Sequence, residues 1–207
     1  MRKKRDAEGT KRTVLESAER LFADSGFKGT SLAGISEASG ISEGLILYHF
    51  KSKERLYTEV MERISTRYLN VLMSLRETDL PPRQMMEHSL KTVFDFWKND
   101  TTYHRLSLWA YLEHRERPID AEARLTGGLA AYLSSLKQSG HLPERIHPAV
   151  FLSMTIGAIH FWFRYKTRFA EILQMRQSEE RLDELFVEQL TGMLAGIVDR
   201  SAEQHSG

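Results

Sequence analysis

Between Gly26 and Leu56 the chain is punctuated so closely that few folds can accommodate it. Thr30 and Ser31 can cap a short helix that turns Leu32 and Ile35 inward, because a hydroxyl oxygen satisfies an amide left unpaired in a first helical turn. Ala38-Ser39-Gly40-Ile41 then reads as a tight turn, with glycine where a left-handed backbone is needed. Ser42 can cap a second short helix, and Phe50 closes its apolar side. Gly44 within it reads as a point of close helix packing, and Lys51, Ser52 and Lys53 open a third, longer helix. Phe22, Phe27, Leu32, Ile35, Ile41, Ile46 and Phe50 are the expected small core that sets the angles between these helices. Two short helices about a glycine turn, with basic groups and capped N-termini nearby, suit a module that reads DNA in the major groove.

Four words in this region carry a resemblance. Ala18-Glu19-Arg20-Leu21-Phe22-Ala23, Gly26-Phe27-Lys28-Gly29-Thr30-Ser31-Leu32, Ala38-Ser39-Gly40-Ile41-Ser42-Glu43-Gly44 and His49-Phe50-Lys51-Ser52-Lys53-Glu54 follow one another near the N-terminus. In this order and spacing they resemble the TetR family of one-component bacterial transcription regulators. The resemblance covers roughly residues 10–60, and the rest of the chain fits only by length and helical patterning.

The resemblance implies that Ser42–Tyr48 is the recognition helix, with Glu43 and Leu45 facing bases. The chain departs here from the family's habit of a basic residue at Glu43 and a small hydroxyl residue at Leu45. Glu43 can accept from a cytosine amino group, or it can simply favour the positive end of the helix, while Leu45 can pack on a thymine methyl. Leu47 stands where the family usually has Tyr, and Tyr48 is expected to take over that aromatic phosphate contact. His49 is expected to pack or bond locally. Thr30, Lys51 and Lys53 are the expected phosphate contacts, and Ser42, Leu47 and His49 complete the DNA-facing set. Family members dimerise on palindromic or near-palindromic operators, so a double-stranded operator and a homodimer are the implied macromolecular partners.

Charge alone would not have pointed to nucleic acid, since the net charge is +1. Residues 1–56 carry 11 Lys and Arg against 8 Asp and Glu, a modest bias sharpened by the run Arg2-Lys3-Lys4-Arg5. With no cysteine, a disulfide framework and a Cys-based zinc site are both excluded. The basic start is not followed by the apolar stretch of a secretory signal, and no run approaches a membrane span, so a soluble, cytoplasmic chain is expected.

The pattern predicts an all-α fold of about nine helices, and the resemblance implies an N-terminal helix-turn-helix domain followed by an antiparallel helical ligand-binding and dimerisation domain. Residues 1–9 are expected to be a basic flexible tail, 10–56 the DNA-binding domain and 57–207 the second domain, with the fourth helix connecting the two. Val14, Leu15, Ala18, Leu21 and Phe22 mark the first helix, ended by Gly26. Leu56, Val60, Ile64, Tyr68, Val71 and Leu75 mark the buried side of the fourth. Asp79-Leu80-Pro81-Pro82 is the clearest break.

In the second domain the resemblance implies a cavity for a small effector, and the many large aromatics suit a hydrophobic or aromatic one. Phe94, Trp97, Trp109, Leu112, Tyr132 and Met154 are the expected lining, although ordinary core explains aromatics equally simply. Phe151, Thr155, Ala158 and Trp162 on the eighth helix, with Leu185, Phe186, Gln189, Leu190, Met193 and Ile197 on the ninth, are the expected dimer interface. An intrachain core would account for the same stripes.

No Ser/His/Asp order, phosphate-cradling glycine loop or paired-carboxylate motif supports an enzyme, and no cofactor is expected. His104, His114, His141, His147 and His160 lack metal-ligand spacing, so no metal is expected. The implied function is a repressor released from its operator by a small molecule. The alternatives are a DNA-binding protein without an effector, or a helical enzyme or metal-binding protein.

Overall fold

The computed structural model describes residues 2–74, 80–115 and 120–204, and within these every regular element is an α-helix. In chain order they are α1 (Arg2–Gly29), α2 (Leu32–Ser39), α3 (Glu43–Phe50), α4 (Lys53–Ser74), α5 (Pro82–Asn99), α6 (Thr102–Leu112), α7 (Asp120–Gln138), α8 (Pro148–Ile172) and α9 (Glu179–Gln204). These bounds lie close to those expected from periodicity, and Pro82 and Pro148 each open a helix, where the missing N–H costs nothing. Leu75 and Pro118, expected in α4 and at the head of α7, lie outside the described residues.

The first nine residues differ from expectation. Residues 2–9 continue α1 as helix rather than forming a flexible tail. No proline interrupts them, and a lone Gly9 costs a helix only about 1 kcal/mol. Thr13 Oγ1 also donates to Gly9 O at 3.1 Å.

The chain divides into two compact units. One comprises residues 1–68 and 100–123, the other 69–99 and 124–207. The unit that holds the helix-turn-helix is thus larger than residues 10–56. Its buried cluster joins Val14, Ala18 and Phe22 of α1 to Ile35 of α2, Ile46 and Phe50 of α3, Leu56, Val60 and Ile64 of α4, and Leu106 of α6. Phe22, Phe27 and Tyr57 meet edge-on and stacked at 5.1–6.0 Å between ring centres. Leu32 and Ile41 pack against this cluster from its margin. Buried Glu19 on α1 takes both guanidinium nitrogens of Arg67 on α4, at 2.7 and 3.3 Å, and the same guanidinium reaches Asp100 at 3.0 Å.

The second unit is organised about a buried carboxylate and a group of rings. Asp183 of α9, 2% exposed, accepts from Trp162 Nε1 at 2.8 Å and Lys166 Nζ at 3.0 Å on α8. Lys98 on α5 approaches it at 3.2 Å. Burial alone would raise this carboxyl, but the bonds from Trp162, Lys166 and Lys98 hold it below its ordinary value. Trp162 stacks on Phe186 at 4.7 Å, Phe94 meets Phe163 at 4.8 Å and Phe186 at 5.8 Å, and Trp97 meets His160 at 3.9 Å.

Candidate nucleic-acid interface

Three serines start the three helices of the motif. Ser31 Oγ accepts from Gly34 N at 3.0 Å, Ser42 Oγ from Leu45 N at 3.4 Å, and Ser52 Oγ from Arg55 N at 3.2 Å. Gly40 ends α2 at φ 70, the left-handed conformation expected of it, and donates to Ser36 O at 2.9 Å. The caps fix where α3 begins, and packing fixes how it is turned. Ile46 and Phe50 point into the core, leaving Glu43, Leu45, Leu47 and Tyr48 on the outer side, with Tyr48 69% exposed. An isolated soluble domain gains nothing by exposing two leucines and a tyrosine on one short helix. Bases and sugar-phosphate present such side chains with methyl groups and apolar edges to cover.

The end of α3 is built around Lys51. Its backbone is left-handed (φ 69), which costs a non-glycine residue roughly 1–2 kcal/mol. Its N–H donates to Leu47 O at 2.9 Å, and its Nζ donates to Tyr48 O at 2.9 Å while lying 5.3 Å from the centre of the Tyr48 ring. His49, half-buried, meets the Tyr48 ring edge-on at 5.3 Å, a local packing role. A cation and a phenol are thus held side by side at the exposed C-terminal end of α3.

Two of the expected phosphate contacts have hydrogen-bond partners within the chain. Thr30 is 4% exposed, and its hydroxyl proton is shared between Gly26 O at 2.8 Å and Leu21 O at 3.0 Å. Lys53 Nζ donates to Phe27 O at 2.9 Å and Thr30 O at 2.8 Å, and sits 4.2 Å from the centre of the Phe27 ring. Both close the segment between α1 and α2, where backbone carbonyls would otherwise be unpaired. Gly44 also lacks the packing role expected of it, since a Cβ there would meet nothing within 4 Å.

The six expected ligand-lining residues are divided between the two units. Trp109 and Leu112 belong to the first unit, whereas Phe94, Trp97, Tyr132 and Met154 belong to the second. Trp109 donates its Nε1 proton to Ala23 O at 3.2 Å, so it anchors α6 on α1. Leu112 and Met154 are exposed. Phe94 and Trp97 are buried in ring contacts, and Tyr132 is half-buried, with its phenol raised by burial. A groove of 480 Å³ in the second unit is lined chiefly by charges, among them Lys91, Asp95, Lys98, Glu180 and Glu188. Of the six expected residues only Phe94 reaches it.

The expected dimer stripe is partly covered within the chain. Trp162 and Phe186 are spent on each other and on Asp183. Phe151, Thr155, Ala158, Leu185, Leu190 and Ile197 are half-buried, and Gln189 and Met193 are exposed. On α8 the exposed apolar residues include Val150, Met154 and Phe161, four and seven residues apart and hence on one face, with Phe169 and Ile172 nearer its C-terminal end. Periodicity identified α8 and α9 as doubly apolar but could not say which apolar side faces inward.

Residues 14–60 match the model of bacterial regulatory proteins of the tetR family. AcrR, an HTH-type transcriptional regulator of Shigella flexneri, is 41% identical over 59 residues, 28% of this chain and 27% of that protein. The match thus spans about a quarter of that relative's length. A longer match is to the Probable HTH-type transcriptional regulator ArpR of Pseudomonas putida, 30% identical over 176 residues, 78% of this chain and 83% of the relative. Among solved structures, AibR, crystallised with isovaleryl coenzyme A and operator DNA, superposes with a TM-score of 0.65 at 19% identity, covering 89% of this chain and 97% of its own. That likeness is one of fold.

Proposed function

Because this chain belongs to the tetR family of bacterial regulatory proteins, we propose that it is a DNA-binding transcription regulator, a repressor acting as a homodimer on a palindromic operator. The observation that carries the reading is α3, whose capped start and buried Ile46 and Phe50 leave Glu43, Leu45, Leu47 and Tyr48 exposed together, with Lys51 beside them. Glu43 and Leu45 read base edges, and Tyr48 and Lys51 hold the backbone at the far end of the helix. Ser42 keeps its capping role and offers the α3 N-terminus to a phosphate.

A single recognition helix covers few base pairs, so a second copy is needed for specificity. The exposed face of Val150, Met154 and Phe161 on α8, together with Met193 on α9, supports pairing of these helices with their copies. No described helix is long and apolar enough to cross a membrane.

Release by a small effector bound in the second unit is the regulatory part of the proposal. AibR, the structural likeness above, was crystallised with isovaleryl coenzyme A as well as DNA. A hydrophobic or aromatic effector has to part the ring group around Phe94, Trp162 and Phe186, and it acts only through its preference for one conformation. The close ring contacts favour a second reading, a DNA-binding protein with no effector.

The test is selection of bound duplexes from a random pool with the full chain, at two salt concentrations. An enriched inverted repeat, lost on Leu45→Ala or Tyr48→Ala substitution, supports the reading. Salt-sensitive binding without an enriched sequence overturns it. A screen for compounds that release the selected duplex then separates the effector-controlled from the constitutive regulator.

A further inference from the structure

The α1 helix is broken at Gly26, where φ 72 and ψ −179 turn the following peptide plane away from the helix. In an unbroken helix Phe27 N–H would donate to Ala23 O, and Lys28 N–H to Asp24 O. Displaced backbone groups must find other partners or pay for burial without them. One stripe of α6, with the residue just beyond its end, provides those partners. Arg105, Trp109 and Glu113 lie four residues apart and project from one side. Arg105 Nε and Trp109 Nε1 both donate to Ala23 O, at 2.9 and 3.2 Å. The Glu113 carboxylate accepts Phe27 N–H on Oε2 at 3.0 Å and Lys28 N–H on Oε1 at 2.8 Å. Arg105 also pairs with Asp24 at 3.3 Å. Side chains some 85 residues away in sequence have thus taken the places of the backbone partners on both sides of one break.

We propose that Arg105, Trp109 and Glu113 are positioning residues for DNA binding, which hold α1 kinked against a competing straight form. In the straight form the Phe27 and Lys28 amides return to the Ala23 and Asp24 carbonyls, and α6 lets go. Ala23 O and the Phe27 and Lys28 amides are satisfied in both arrangements, so for these groups the junction exchanges hydrogen bonds rather than losing them, as a two-state element requires. Gly26 permits both forms. A Cβ there would stand 2.8 Å from Trp109 Cε3 and would also disfavour the positive φ, so any other residue biases the junction toward the straight form.

The aim of the reading head follows from the kink. Thr30 Oγ1 bonds to Gly26 O, Lys53 at the start of α4 bonds to Phe27 O and Thr30 O, and Ser31 caps α2. Turning the peptide after Gly26 therefore moves the start of α2 and the start of α4 together, and α3 lies between them. This inference rests on the DNA-binding reading of α3 but needs no effector.

The test uses the full chain with Glu113→Ala, Glu113→Gln and Gly26→Ala. The probes are the duplex selected by the unsubstituted protein and a random-sequence duplex of equal length. Glu113→Ala and Gly26→Ala are expected to weaken binding of the selected duplex roughly tenfold or more, with a much smaller change on the random duplex. Glu113→Gln, which keeps one acceptor oxygen, is expected to fall between. The deciding readout is amide hydrogen exchange at Phe27 and Lys28. In Glu113→Ala these amides stay protected if α1 straightens and recovers its own bonds, and lose protection if Glu113 was only a cap. Lost protection, or binding within about twofold of the unsubstituted protein, overturns the proposal. If Glu113→Ala does not fold, Glu113→Gln and Gly26→Ala carry the comparison. If no sequence is enriched from the pool, the reading of α3 has failed, and hydrogen exchange still decides whether the junction has two states.

Discussion

Phe22, Ile35, Ile46 and Leu56 are completely covered within the first unit, whereas Met154 and Met193 in the second are each 70% exposed. The first unit spends its apolar residues inward and leaves them exposed chiefly on α3, where the proposed nucleic acid would cover them, and at Tyr111 and Leu112. The second keeps its interior together with rings and a buried carboxylate, and carries a line of uncovered apolar residues along α8. The difference teaches that one unit is complete as a folded body and offers a small reading surface, while the other carries apolar surface that a single chain does not cover. Six substitutions test that contrast.

The largest effect is expected at Phe22, which touches both Phe27 and Tyr57. Phe22→Ala should destabilise the first unit by about 3–5 kcal/mol, read by chemical denaturation, and abolish DNA binding along with it. A loss below about 1 kcal/mol would show that this core is looser than its burial implies.

Asp183 is the counterpart in the second unit. Asp183→Asn leaves half-buried Lys166 with only the more distant Glu179, at 3.7 Å, as a charge partner and should cost roughly 3 kcal/mol. The sign of the pH dependence follows from the lowered carboxyl. Its stabilisation is complete above the unfolded value of about 3.9 and is lost as pH falls through the lower folded value. Denaturation between about pH 6 and 2 should show that loss in the unsubstituted protein, beyond what Asp183→Asn shows. Parallel curves would mean that the carboxylate does not hold α5, α8 and α9 together.

Lys53 and Lys51 sharpen the boundary between scaffold and reading surface. Lys53→Ala removes charged hydrogen bonds to Phe27 O and Thr30 O and should cost about 1.5 kcal/mol of stability. Lys51→Ala should change stability by less, yet lower the salt slope of DNA binding by about 1. The reverse pattern in paired melting and salt titrations would return Lys53 to the phosphate backbone.

The smallest effect on the single chain is expected on α8. Met154→Glu and Phe161→Glu, both exposed, should alter protomer stability by no more than about 0.5 kcal/mol. Sedimentation should nevertheless find a single-chain mass, against the two-chain mass expected of the unsubstituted protein. A dimer that survives both substitutions would move the interface off this face.

Much of the fold was legible because its signals are local. Ser31, Ser42 and Gly40 act within one helical turn, and the positions of Phe22, Ile35, Ile46 and Phe50 follow from the 3.6-residue period. The exposure of Leu45, Leu47 and Tyr48 followed by the same rule once Ile46 and Phe50 were assigned inward. The expected ligand set came from aromatic identity, which does not say which ring finds which. Trp109 looked like Phe94 in sequence, yet one grips α1 and the other joins the rings of α8 and α9. Glu113 carried a signal too weak to read, a lone carboxylate just past a helix end.

By itself, the sequence determined an all-helical chain, the order of its helices, the capped turn that presents α3, and the break at Gly26. Helix propensity, capping and glycine backbone freedom act between residues a few places apart, so they are written in adjacent letters. Only the tertiary structure decided that Thr30 and Lys53 face inward, that Trp162 and Phe186 stack within one chain, and that Arg105, Trp109 and Glu113 complete the broken α1. Those roles depend on which distant side chain arrives at an unpaired backbone group or an open ring face, and packing, rather than local period, selects it.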